Sequence, residues 1–233
     1  MTKQDTCDFN GCFLCGHCLP SSRRTIAAAR KVLHFKKGQD LFREGEKVRG
    51  IYLVLGGAVK VHQAWGDNEF IIRFATTGDV VGHRGQGATT FPVSATALES
   101  TTACFVTSDF LETIFQTDRS FLYTMMQLFT TELLRAEGRM RDLALIPVKG
   151  RVADALLTMR EAFGLNAGGY IRVPVTRLDI AGYAGTTYEA VFRQLSQWTS
   201  EAIVDTAGKY IRIIDERMLK DQTLYHPPKK SLS

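Results

Sequence analysis

The sequence predicts an α+β chain made of a β-roll, one long helix and a C-terminal winged helix-turn-helix. Three observations carry this. Short apolar strands alternate with glycines through residues 38–116. Apolar residues then recur at spacings of three and four from Leu122 to Leu143. A helix-turn-helix pattern and a short β-hairpin follow.

The chain has 233 residues, 45% hydrophobic and 23% charged, which is ordinary globular composition and excludes a disordered or collagen-like chain. No apolar run approaches the roughly 18 residues that a membrane span needs. Residues 1–18 lack the apolar core of a signal peptide. The reading is a cytoplasmic protein with reduced thiols and no membrane partner. Net charge is +5. Seven basic residues against two acidic lie in 1–37, ten against thirteen in 38–148, and twelve against nine in 149–233. A basic C-terminal third is where an anionic partner is expected.

Taken in order, Ser21 to Leu33 reads as a short helix with Ser21 or Ser22 as N-cap. Ile51–Leu55 reads as a buried strand. Val59–Gln63, Phe70–Phe74, Ser94–Leu98 and Thr102–Thr107 continue an antiparallel roll, with turn signals about every ten residues. Ser120 to Leu145 reads as one helix, about 40 Å long at 1.5 Å per residue. Leu122, Met125, Phe129, Leu133, Ala136, Met140 and Leu143 form its stripe, a seam suited to pairing with a second copy. Pro147 breaks the helix, and Val148 to Ala162 resumes one.

Thr176 to Leu195 reads as two helices around a turn. Ala181 permits a close crossing and Gly185 the positive φ of the turn. Ile203-Val204 and Tyr210–Ile213 flank Ala207-Gly208 and form the wing. In such a motif the second helix enters the major groove of duplex DNA. Thr187, Tyr188, Glu189, Phe192 and Arg193 are its exposed candidates, with Arg177 on the preceding helix. Arg193 suits guanine O6 and N7, and Glu189 suits cytosine N4.

Four cysteines, Cys7, Cys12, Cys15 and Cys18, fall within twelve residues, and a fifth, Cys104, lies in the roll. In a reduced compartment this spacing reads as a metal or cluster site. Four thiolates suit zinc or a 4Fe–4S cluster. A thiol–disulfide switch is the third reading.

Roll, long helix and winged helix-turn-helix in this order resemble the CRP/FNR transcription regulators. The most specific residues are Gly38–Gly45, Gly78–Gly82, Ser94–Glu99, and Glu189 with Arg193. The likeness covers about residues 20–215. It implies a cyclic-nucleotide-binding-type roll over 21–118, a dimerisation helix over 119–146 and a winged helix-turn-helix DNA-binding domain over 147–233, behind a Cys-rich sensory segment, 1–20. It implies a homodimer on a palindromic promoter site with TGA-containing half-sites, and RNA polymerase as a further partner. It also implies that Cys104 stands where the FNR-like branch carries its distant cluster ligand. Tyr188 replaces the Arg of the cyclic-AMP-responsive branch.

The resemblance places an effector pocket at Gly82, His83, Arg84, Val93 and Ser94. The residues argue against cyclic AMP there. A cyclic nucleotide needs a carboxylate for its ribose and an Arg for its phosphate. His83 and Val93 occupy those places, and no Asp or Glu lies between Val80 and Leu98. His83 as a haem ligand is a further reading. An enzyme is the reading from a different class, but no phosphate loop, G-x-S-x-G or H-E-x-x-H occurs. A regulatory module that binds cyclic nucleotide but not DNA is the other alternative.

Overall fold

Successive side chains of a strand point to opposite faces, and the strand at residues 50–56 is apolar on both. In the computed structural model, which describes residues 12–66 and 68–223, Ile51 and Leu53 enter one core while Val54 enters another. This strand, β3 (Gly50–Gly56), pairs with β8 (Thr101–Thr107), where Cys104 and Val106 share the first core and Ala103 the second. A sheet buried on both faces needs two covers.

The first cover is a second sheet. β1 (Lys31–Phe35), β8, β3 and β6 (Val80–Val81) form one sheet in that order. β2 (Asp40–Phe42), β7 (Ser94–Ala97), β4 (Ala58–Trp65) and β5 (Asn68–Thr76) form the other. Between them lie Phe42, Val59, Val61, Ala75, Phe91, Val93 and Ala95. Phe42 and Phe91 stack with ring centroids 4.0 Å apart. The second cover is helical. α1 (Phe13–His17), α2 (Arg23–Ala29), α3 (Ser108–Thr117) and the start of α4 (Arg119–Leu145) lay Leu14, Ile26, Leu111, Ile114, Phe121 and Met125 on the opposite face.

Asp118 fastens parts of the helical cover together. Its carboxylate accepts the Leu19 N–H at 2.7 Å, and the Ser120 hydroxyl and Phe121 N–H at 2.6 and 3.0 Å. It thus caps α4 and holds the chain that follows α1. Burial pushes its pKa up, but these donors outweigh burial and hold the carboxyl below its usual range.

The region from Arg135 onward forms a second compact unit. It comprises the last turns of α4, α5 (Val148–Phe163), α6 (Arg177–Ala184), α7 (Tyr188–Ser200), the hairpin β9 (Val204–Ala207) with β10 (Tyr210–Ile213), and α8 (Glu216–Thr223). Its core holds Leu156, Met159, Ile171, Ile180, Val191, Leu195 and Trp198. The hairpin turns through Gly208 at φ +62°, a glycine leading a two-residue loop.

Three expectations need correction. The helix expected over Ser21–Leu33 ends at Ala29 and has no side-chain cap from Ser22. Lys31–Phe35 is a strand instead, with Val32 opposite Cys104, because sheet pairing overrides the weak local preference. One member of the α4 stripe also faces the other way. Met125 is buried among the roll residues, in a row with Phe121, Leu128 and Glu132. The exposed row is one residue over: Leu122, Met126, Phe129, Leu133 and Met140.

Asp118→Ala removes the cap and the tie to Leu19. It should cost about 2–3 kcal/mol of stability. Hydrogen exchange should rise first at residues 12–22, which a denaturation curve with a hydrogen-exchange map will check.

Candidate nucleic-acid interface and cysteine cluster

Helix α6 begins with a reciprocal cap. The Thr176 hydroxyl accepts the Asp179 N–H at 3.0 Å, and the Asp179 carboxylate accepts the Thr176 N–H at 2.9 Å. The helix stops at Gly185, whose φ of +59° and ψ of +49° are left-handed. A Cβ there would also come within 2.6 Å of a Leu143 methyl. Thr187 then caps α7 by accepting the Ala190 N–H at 3.2 Å. Val191, Leu195 and Trp198 point inward, which leaves Tyr188, Glu189, Phe192 and Arg193 on the open side.

There the six predicted DNA-reading residues fall into three groups. Thr187 spends its hydroxyl on the cap. Tyr188 and Phe192 stack with centroids 6.4 Å apart, and the Arg177 guanidinium sits 5.7 Å from the Phe192 ring centre. Glu189 and Arg193 form the neighbouring row. The Glu189 carboxyl lies below its usual pKa, chiefly through its own N–H and the Thr187 hydroxyl, with Arg193 adding less. A groove of about 180 Å³ runs beside α7 toward the hairpin, lined by Arg177, Leu178, Tyr188, Thr206 and Lys209. In the hairpin, Asp205 accepts the Tyr170 hydroxyl at 2.7 Å and pairs with Arg212 at 2.8 Å.

Two arginines that the sequence reading passed over set the position of this face. Arg151, on α5, donates to the carbonyls of Leu143 and Ile146 at 3.2 and 2.9 Å. The same guanidinium donates to those of Ala184 and Gly185 at 2.8 and 3.1 Å. Arg139, in α4, donates to the Tyr183 carbonyl at 2.7 Å and lies 3.8 Å over its ring. The end of α4 and the turn before α7 are therefore tied through one planar group.

Four cysteines are buried in the core between α1, α4 and the roll. Cys12, Cys15, Cys18 and Cys104 are each at most 5% exposed and share one core with Leu14, Ile26, Leu53 and Phe121. Burial, then Asp118 and Cys12, push the Cys18 thiol up to about 12. Cys7 lies outside the described residues. Among the described residues no three Cys, His, Asp or Glu side chains converge closely enough for a single metal ion.

The five effector-pocket candidates do not share a polar partner. Gly82 turns the chain at φ +85°. Val93 is buried between the sheets, and the Ser94 hydroxyl accepts the Glu44 N–H at 2.9 Å. His83 and Arg84 belong to a different cluster, one that includes α4. Glu132 pairs with Arg84 at 3.0 Å and Arg73 at 3.2 Å. Burial alone would raise Glu132, but the two arginines hold it ionised. Burial first, then Arg73, push His83 toward its neutral form.

Residues 32–118 match the family described as cyclic nucleotide-binding domain, and residues 150–222 the Crp-like helix-turn-helix domain. The transcriptional activator protein FnrA of Stutzerimonas stutzeri is 27% identical over 214 residues, 88% of this chain and 87% of that protein. The transcriptional activator protein Anr of Pseudomonas aeruginosa is 28% identical over 184 residues, 77% and 75% of the two chains. The structure of FixK2 from Bradyrhizobium japonicum superposes with a TM-score of 0.75 at 26% identity, covering 85% of this chain and 99% of that one. No helix among the described residues is long and apolar enough to cross a membrane.

Arg151→Met keeps the apolar stem but removes four hydrogen bonds. The C-terminal unit should lose about 2–4 kcal/mol. Thermal denaturation will check the loss, and any duplex bound by α7 should be held more weakly.

Proposed function

The chain belongs to the CRP/FNR family of transcription regulators, and from that premise we propose a homodimer that reads a palindromic DNA site through α7 and senses oxygen or redox state through its cysteines. The single observation that supports the reading best is the open face of α7. Its buried row is complete, and its outer rows carry one Glu, one Arg and two aromatics at the end that enters a major groove. Arg193 grips guanine and Glu189 accepts from cytosine. Lys209 at the wing tip and Arg177 at the start of α6 meet phosphates.

Pairing follows from α4. Leu122, Met126, Phe129, Leu133 and Met140 lie exposed at spacings of four, three, four and seven, the seam of a two-helix coiled coil. Two copies joined there present two recognition helices to successive major grooves. RNA polymerase is the proposed further partner on the promoter.

Cys12, Cys15, Cys18 and Cys104 are the proposed cluster ligands. The fit rests on four buried thiols in one core. Four thiolates of this kind would be the ligands of a 4Fe–4S cluster. When bound, such a cluster supplies chemistry that oxygen destroys. The residues supply the linkage. Cys104 sits on β8, Cys18 adjoins Asp118, and Asp118 caps α4. Fastening the cysteine segment therefore fixes the start of the dimer helix, and releasing it biases how two α4 helices pair.

The experiment is binding to a selected palindrome before and after air, on anaerobically prepared protein with iron and sulfide analysis. Iron and labile sulfide should be present and binding should change on exposure. Iron-free protein whose binding survives both air and Cys104→Ser would exclude the cluster. On the same palindrome Arg193→Ala should cost about 1–3 kcal/mol and relax selectivity at one guanine. Leu133→Glu should sediment as a monomer and lose the palindrome, since it sets two carboxylates against each other in the seam.

A further inference from the structure

Two aromatic rings on α7 are exposed beside Glu189 and Arg193. Tyr188 is 42% and Phe192 49% exposed. They stack at an interplanar angle of 16°, and Arg177 reaches across from α6 to lie over Phe192. The pair is one i,i+4 row of the helix, and Glu189 with Arg193 is the row beside it. What Phe192 meets is therefore next to what Glu189 and Arg193 meet.

Phe192 carries no donor and no acceptor, so it cannot read a hydrogen-bond pattern. The major groove offers one apolar group on its base edges, the C5 methyl of thymine. Stacking on Tyr188 and cover by Arg177 restrict the ring before any partner arrives, so less freedom is lost on contact. We infer that Phe192 is a specificity-determining residue that packs on a thymine methyl beside the base pairs read by Glu189 and Arg193. This rests on the DNA-reading role proposed above for α7. Tyr188 and Arg177 act as positioning residues for the ring.

The test removes the methyl alone. A palindrome is selected in vitro, and each thymine is replaced by deoxyuridine at symmetric positions, one position at a time. Dissociation constants are measured at one salt concentration for wild type, Phe192→Ala and Arg193→Ala. At one position near the Arg193 guanine, uracil should weaken wild type about fourfold per half-site, or about 15-fold for both, as expected for one buried methyl. Phe192→Ala should bind the thymine and uracil duplexes equally at that position, while Arg193→Ala should keep the difference. Wild type indifferent to uracil everywhere, undiminished discrimination in Phe192→Ala, or a selected half-site with no thymine beside the guanine would overturn the inference. If duplex is bound and depends on Arg193 in those cases, only the methyl contact falls. If no duplex is selected, or Arg193→Ala changes nothing, the reading of α7 falls with it.

Discussion

The roll depends on a sheet that is apolar on both sides. Ile51, Leu53, Cys104 and Val106 cannot be left in water any more than Val54 and Ala103 can. Burying one fully exposed side chain of this size is worth about 1.5–3 kcal/mol. The second sheet satisfies one face. The other is covered only by joining α1, α2, α3 and the start of α4 over it. That requirement places the cysteine segment and the long helix in a single core, so a change in one is felt by the other through packing.

Charges do the fine placement on top of that burial. Asp118 and Glu132 each fix a point on α4, the first by accepting three hydrogen bonds at its start, the second by meeting Arg73 and Arg84 from the roll. A buried ion pair contributes little net stability, because its desolvation nearly cancels its attraction. Its value here is phase: with Glu132 turned to the roll, Leu133 and Phe129 are turned outward. One residue of rotation would exchange the two rows.

Much of this was legible in the sequence. The strand at 51–55 announces itself as an unbroken apolar run, and those at 59–63 and 70–74 by alternation. The two helices around Gly185 do so by the small Ala181 at their crossing and by one glycine whose conformation the turn requires. What escaped was tertiary. A row of apolar residues on a long helix does not say which of two adjacent rows faces the roll, so Met125 and Met126 exchange places. The strand at Lys31–Phe35 borrows its conformation from β8, and the five residues of α1 are too few for any period to show. Arg151 and Glu132 have no sequence signal beyond their charge, since most of their partners lie far off in the chain. Local spacing does carry cap signals: an Asp three residues before Phe121, just ahead of a long periodic run, and Thr176 three residues before Asp179. For the effector pocket, the sequence could not show that Glu132 of α4 lies beside His83 and Arg84.

Arg151 binds only backbone carbonyls, at Leu143, Ile146, Ala184 and Gly185. It is therefore blind to the side chains at those positions and on α7. Evolution can rewrite the base-reading face, residue by residue, without disturbing the joint that carries it. A lineage of such proteins is free to diverge in the sites it recognises while inheriting one mechanical linkage unchanged.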